Sequence, residues 1–329
     1  MMKKNINFGN YYKLINKRRS FICGIKGLKL NRDEIYFLNK FKPWGIILFS
    51  RNISNISQVS SLTNSIKKIF KDPNYPILID EEGGRVCRLS KIIDNSFFNA
   101  SMFGKIYDKD KKNFKSLIKT YIKNNSYVLN KLGININTVP VLDIKRKNYH
   151  KIIGDRAYSS DPKKISIIGN FVIKEFEKNR INTVIKHIPG HGLAKSDSHI
   201  KLPIVYKKYD YLKKNDFYTF QNKKCLLAMT AHIVFHDIDS LHCATHSKKI
   251  VNIIRKKIKF KNLLITDDIS MRALKYSIKL NTTMAFNAGC NIVMHCNGKM
   301  NEMKIVAQNS PFLSSFIKKK TSQLINKVS

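Results

Sequence analysis

The stretch LLITDD, residues 263–268, decides the fold. Four residues that favour a buried strand run straight into two adjacent carboxylates. An apolar run without alternation suits a strand covered on both faces, as in a parallel sheet flanked by helices. Two acids at the end of such a strand are expensive unless bonded or used. Side chains alternate along a strand, so one acid should point into the mouth of the sheet and its neighbour away from it. Asp267 is taken as the chemically active member. Asp268 is taken as its support, with a helix N-cap beginning near Ser270 as the plainer role.

Seven further runs read the same way: FICGI (21–25), GIILFS (45–50), PILIDEE (76–82), ININTVPVLDI (134–144), NTVIKHIPG (182–190), CLLAMTAHIVF (225–235) and NIVMHC (291–296). Helical stretches separate most of them. RDEIYFLNKF follows the first, SQVSSLTNSIKKIF the second, and FKSLIKTYIKNNSYVLNKLG precedes the fourth, with Gly133 as its stop. PKKISIIGNFVIKEFEKN opens on Pro162, tolerated in a first turn, and SMRALKYSIKLNTTMAFNAG closes on Gly289, a C-terminal cap. Eight strands alternating with helices match a closed barrel. Polar groups fall at the strand ends: Asp80, Asp143, Lys186 with His187, His232, Asp267 and His295. A barrel gathers those ends at one mouth. No GxGxxG follows a strand, which leaves a dinucleotide site without support. The expected fold class is α/β, a single-domain TIM-like (β/α)8 barrel over 21–329 with a C-terminal helix, preceded by a basic extension over 1–20.

Composition narrows the function classes. The chain has 329 residues and is 43% hydrophobic, enough for a large core. No run approaches the roughly 18 apolar residues of a membrane span, and the basic N-terminus lacks a secretory pattern. The six cysteines show no CxxC spacing and suit free thiols in a reducing compartment. A net charge of +39 invites a nucleic-acid reading. The excess is mostly lysine, spread over the whole chain, and no RNP box or zinc-finger pattern accompanies it, so it is read as solvated surface.

Two further segments carry candidate chemistry. In IDEEGGRVCRL (79–89), Asp80 can accept from vicinal hydroxyls and Arg88 can donate in a fork to a carbonyl or carboxylate. A loop salt bridge between Glu81 or Glu82 and a nearby arginine explains the same residues, and both readings stay open. KHIPGHGLAKSDSH (186–199) concentrates three histidines around two glycines. His187 and His191 are four apart, but Pro189 and Gly190 between them argue against the helix that a shared metal face would need. Acid/base chemistry fits better. Asp197 and His199 are two apart, so in an extended loop the carboxylate can orient the imidazole, which titrates near neutrality. Gly190 and Gly192 are candidate hinges for that loop.

The ordered set IDEEGGRVCRL, GDRAYSSDP, VIKHIPGHG, DSH before LP, MTAHI and ITDDISM resembles the bacterial β-N-acetylglucosaminidases of glycoside hydrolase family 3, of the peptidoglycan-recycling type. WGIILFSRNI, GININTVPVLDI and NAGCNIVMHCNG extend the resemblance over about residues 21–300. It implies a cytoplasmic barrel that removes terminal N-acetylglucosamine from muropeptides, with no metal or other cofactor, retaining through a covalent glycosyl-enzyme. It further implies Asp267 as nucleophile, His199 with Asp197 as the acid/base dyad, and Asp80, Arg88, Arg156, Lys186 and His187 as sugar contacts. Glu81 stands where glutamine is common. Expected partners are the amino-sugar substrate alone, with no specific nucleic acid and no membrane span, and the chain is expected to be a monomer. Another family 3 activity, such as β-glucosidase, is the nearest rival.

Overall fold

The computed structural model describes residues 8–147, 152–194, 196 and 201–328. Strands β1 (Arg19–Gly24), β2 (Pro43–Leu48), β3 (Ile77–Ile79), β4 (Ile136–Asn137) and β5 (Asn182–Ile188) are followed by β6 (Ile204–Val205), β7 (Leu227–Thr230), β8 (Val234–Phe235), β9 (Leu263–Asp268) and β10 (Ile292–His295). Helices α1 (Phe8–Ile15), α2 (Arg32–Phe41), α3 (Ile56–Phe70), α4 (Ala100–Lys109), α5 (Lys111–Lys131) and α6 (Pro162–Lys178) occupy the first half of the chain. Helices α7 (Tyr209–Lys214), α8 (Lys248–Lys256), α9 (Ile278–Ala288), α10 (Met300–Asn309) and α11 (Ser315–Val328) complete it.

Eight strands close into one parallel barrel, in the order β1, β2, β3, β4, β5, β7, β9, β10 and back to β1. The expected (β/α)8 class is what the chain adopts. Strands β6 and β8 form a small separate parallel pair. The run 225–235 therefore splits, with β7 in the barrel wall and β8 outside it. The run 134–144 contributes the two-residue strand β4 and, past Pro140, a single parallel bridge between Val141 and Lys186 of β5.

Strand alternation sorts the apolar residues into two layers. Ile22, Trp44, Ile47, Leu78, Ile136, Val184, Leu263 and Ile265 pack together inside the barrel, whereas Phe21, Cys23, Ile46, Ile185 and Leu264 pack outward against the helices. Continuing the inner set by two residues along β3, β4, β5 and β9 reaches Asp80, Thr138, Lys186 and Asp267. The inward row is thus apolar through the barrel and polar at its C-terminal mouth.

Helices α1 and α11 pack against each other, and Tyr11, Ile15, Leu324 and Ile325 of this pair are buried in the same cluster as the barrel interior. Trp44 Nε1 donates to Thr321 Oγ1 at 2.8 Å and Asn182 Nδ2 donates to the Leu324 carbonyl at 3.1 Å, which tie α11 to β2 and β5. The described part of the basic N-terminal segment is therefore built into this closure.

Local signals account for most helix ends. Asn31 caps α2 with a complete capping box to Glu34, Asp161 caps α6 ahead of Pro162, and Gly289 ends α9 in the left-handed conformation. The helix expected from Ser270 instead begins at Ile278, capped by Ser277, and residues 269–277 form turns. The Asp268 carboxylate accepts from Ser270 N at 3.0 Å and from Ser270 Oγ at 2.8 Å, and this side-chain turn competes with a helical start.

Candidate active site

The polar strand ends enclose a cavity of about 270 Å³ at the barrel mouth. That lies near the lower limit for small-molecule sites, a size suited to a monosaccharide unit. Asp80, Arg88, Arg156, Lys186, His187 and Asp267, all expected from the sequence as site residues, line this one cavity. Asp197 and His199 lie outside the described residues.

Lys186 organises one wall. Its ammonium lies 3.0 Å from Asp80 Oδ1, 2.8 Å from Thr138 Oγ1 and 2.6 Å from Glu82 Oε1, so each of its three N–H bonds has an acceptor. Thr138 Oγ1 also donates to Asp80 Oδ1. The three barrel neighbours β3, β4 and β5 bring these groups together. Glu82 then bridges to Arg156, whose Nε and Nη2 donate to the two carboxylate oxygens at 2.7 and 2.9 Å. Burial alone would raise the Glu82 carboxyl; the Arg156 and Lys186 charges outweigh it and hold the group well below the usual carboxylate range. Asp80 is likewise driven up by burial and brought below its ordinary value by Lys186 and Arg88. Both acids are ionised at neutral pH. The salt bridge considered for Glu81 or Glu82 does form, at Glu82, but its arginine is Arg156, from a distant loop.

Glu81 faces the other way and builds the neighbouring loop. Its carboxylate accepts from the Arg88 and Leu89 amides at 2.7 and 3.0 Å and from Asn95 Nδ2 at 2.9 Å. Every one of these partners is a donor, which suits an acceptor-only carboxylate. Arg88 is held by its backbone in this way, and its guanidinium lies over Phe49 at 5.6 Å, with Asp80 Oδ2 3.8 Å from Nη2.

His187 is oriented by Asp143, a residue at a strand end that carried no assigned role in the sequence. Asp143 Oδ2 is 2.7 Å from His187 Nδ1, and Oδ1 accepts from His191 N at 2.7 Å. The carboxylate can only accept, so Nδ1 carries a proton and Nε2 is the ring nitrogen left over. Burial pushes Asp143 up, and His187 outweighs it to hold the carboxyl below its usual value. His191 packs 5.4 Å from the His187 ring, and burial, reinforced by His187, lowers it to about 4. The Lys186–His187 and Ile188–Pro189 peptides are cis, and residues 189–194 form no helix. The two glycines here serve close approach. A Cβ on Gly192 would lie 2.3 Å from the Ile144 carbonyl oxygen, and Gly190, at φ +142°, sits against Asp216.

Asp267 and Asp268 both border the cavity. The expectation that Asp268 faces away fails because the β9–β10 register shifts: Ile265 pairs with Ile292, but Asp268 pairs with Met294. Three steps on β9 match two on β10, a bulge that breaks the alternation. Asp267 Oδ1 accepts from Asp268 N at 2.7 Å. The Asp268 carboxylate accepts from Ser270 and from Cys296 N at 3.1 Å, stitching the end of β9 to that of β10. Behind them, buried His232 has Nε2 3.0 Å from the Asp268 carbonyl oxygen and Nδ1 2.8 Å from Thr245 Oγ1. The carbonyl accepts the Nε2 proton, so Nδ1 takes one from Thr245. Burial lowers His232, which stays neutral.

A barrel with a sugar-sized, charge-lined cup at its C-terminal mouth defines a small-molecule enzyme, and comparison with known proteins gives its class. The Glycosyl hydrolase family 3 N terminal domain matches residues 15–325, and the chain belongs to that family. A β-hexosaminidase of Neisseria meningitidis serogroup A / serotype 4A is 30% identical over 289 residues, covering 85% of this chain and 78% of the relative. One of Methylobacillus flagellatus is 27% identical over 278 residues, covering 83% and 79%. NagZ from Neisseria gonorrhoeae, solved in complex with N-trifluoroacetyl-D-glucosamine, superposes with a TM-score of 0.85 at 27% identity, over 95% of this chain and 91% of that one. The chain is a glycoside hydrolase of the β-N-acetylhexosaminidase type. Among the described residues, no helix is long and apolar enough to cross a membrane.

Proposed function

We propose that this protein is a retaining β-N-acetylhexosaminidase that removes non-reducing terminal N-acetylglucosamine from muropeptides in the cytoplasm, its segment 21–329 working as one catalytic barrel. The observation that carries the reading is Asp267 on the inner row of β9, in one cavity with Asp80, Arg88, Arg156, Lys186 and His187. Asp267 is the nucleophile. Its carboxylate forms a bond to the anomeric carbon as the bond to the leaving oxygen breaks, and His199 gives that oxygen a proton. Neutral His199 then takes a proton from water, the water oxygen attacks the same carbon, and the Asp267 carboxylate departs.

The wall charges support a proton donor drawn from outside the cup. Asp80 and Glu82 are held ionised by their cations, which suits accepting hydroxyl protons and excludes giving one. The Asp268 carboxylate is engaged by the Ser270 and Cys296 donors. A histidine paired with Asp197 fills the missing role. Lys186 has each N–H engaged, so a sugar hydroxyl binds it by sharing or displacing one of those acceptors. The net charge of +39 favours encounter with a substrate that bears carboxylates, as peptide-linked amino sugars do.

A chromogenic aryl N-acetylglucosaminide tests the assignment, run beside the matching glucoside. The wild type should favour the N-acetyl substrate, and Asp267→Ala should lower kcat on the order of 10³-fold or more. Preference for the glucoside would remove the substrate reading, and near-normal turnover by the variant would remove the nucleophile.

A further inference from the structure

A second cavity, of about 420 Å³, opens on the face opposite the mouth. Lys13, Lys17, Arg18, Lys42 and Lys71 line it, and among the described residues no carboxylate does. Arg18 immediately precedes β1, Lys42 precedes β2, and Lys71 ends α3 ahead of β3. These are connections at the N-terminal ends of strands, a barrel length away from Asp80, Lys186 and Asp267.

Lysines beyond helix C-termini have an ordinary explanation, since each helix end carries about half a negative charge. That accounts for part of the cluster. The ends of α1, α2 and α3 together offset roughly one and a half charges. The nearest acid, Asp72, is 1% exposed and already engaged by Arg18 Nη2 at 2.7 Å and by the Tyr11 hydroxyl at 3.2 Å. The only acids within residues 1–71 are Asp33 and Glu34, in the first turn of α2, about 12–14 Å along the helix from Lys42. A clear positive excess therefore remains at the cavity.

Two local features accompany this excess. Lys42 and Lys71 hold left-handed conformations, φ 48° and 49°, at helix caps where glycine is the usual residue. Arg18 is 2% exposed, with its guanidinium carbon 4.8 Å from the Tyr75 ring centre and 5.5 Å from that of Phe70. Its Nη1 has no hydrogen-bond partner among the described residues. A buried donor left in that state is destabilising. An anion seated in the cavity would lie beside this guanidinium and meet the four lysines that line the same space.

We propose that this cavity is a binding site for a multiply charged phosphate-class anion, held by Lys17, Lys42 and Lys71 as point charges over the buried Arg18. Phosphate suits the set because several oxygens can be met at once by separate cations.

Titration calorimetry of the full chain with tripolyphosphate, at about 0.15 M salt where long-range attraction is screened, tests this. One equivalent should bind per chain. The double variant Lys42→Gln with Lys71→Gln should bind about tenfold more weakly or worse. A control with the same charge loss on exposed α5, Lys112→Gln with Lys115→Gln, should stay within about twofold of wild type. Hydrolase activity should be unchanged in both, which certifies their folding. If the double variant folds poorly, the single change Lys17→Gln, at an exposed residue, should still weaken binding beyond the control. Absence of binding to the wild type, several equivalents of one weak affinity, or equal losses in test and control variants would each overturn the site.

Discussion

Glu82→Gln keeps the shape of the side chain and removes its charge. In the wild type this carboxylate, 5% exposed, faces Arg156 at 11% and Lys186 at 3%. Lys186 would retain Asp80 and Thr138, whereas Arg156 would keep the Ile152 carbonyl at 3.2 Å and at most one neutral amide oxygen in place of a two-oxygen carboxylate. Removing one partner of a buried pair costs about 3–5 kcal/mol. At roughly 2.1 cal/mol/K of unfolding entropy per residue, 329 residues give about 0.7 kcal/mol/K, so the melting temperature should fall by about 4–7 °C. The sign of the pH dependence follows from the depressed carboxyl. Its stabilisation is complete above the unfolded value near 4.3 and is lost as pH falls towards the folded one. The gap between wild type and variant should thus hold from about pH 7 to 5 and shrink by about 1.4 kcal/mol per unit below about 4. Scanning calorimetry across that range measures it, and kinetics at pH 7 should show KM raised more than kcat is lowered. A shift under about 1 °C at pH 7, or a gap that stays constant into acid, would refute the ion-pair argument.

The remaining expectations concern proton transfer, the His187 support and acid stability. His199→Ala should impair substrates with poor leaving groups far more than activated aryl glycosides, and equal losses on both would count against its acid role. Asp197→Ala should act through His199, so the double change should cost less than the sum of the singles; full additivity in the kinetics would contradict the dyad. Asp143→Asn places an amide N–H against donors from His187 and His191, and should destabilise by roughly 2 kcal/mol or more while weakening substrate binding; an unchanged melting curve would contradict the Asp143 network. Burial lowers His191 to about 4 and His246 to about 3, so both are neutral in the fold but protonate at about 6.5 when unfolded. As pH falls from about 6.5 towards 4, each should remove about 1.4 kcal/mol of stability per unit. His246→Asn should take away one histidine's share of that slope, and an identical slope in wild type and variant would exclude the contribution.

What could be read from the sequence was whatever depends on short-range pattern. Apolar runs ending in polar residues gave the eight barrel strands, because alternation and burial act within a few residues. The inward row carried Asp80, Lys186 and Asp267 to one mouth for the same reason. Partnerships across the chain left no such trace. Glu82 and Arg156 are 74 residues apart, Asp143 and His187 are 44 apart, and Thr138 joins Lys186 only because β4 and β5 are neighbours in the barrel. The start of α9 was misread where periodicity in SMRALKY competes with the Asp268–Ser270 turn. The facing of Asp268 was misread where a register shift, invisible in one strand's own residues, adds a step.

The single tryptophan of this chain gives the fold a built-in optical gauge. Trp44 is fully buried and bonded to Thr321, so its emission reports whether the last helix is seated beneath the sheet, at the end remote from the sugar cup. Fluorescence should therefore follow loss of that seat during denaturation while remaining nearly blind to occupancy by carbohydrate. Unfolding and ligation can then be watched through separate signals in one unlabelled sample.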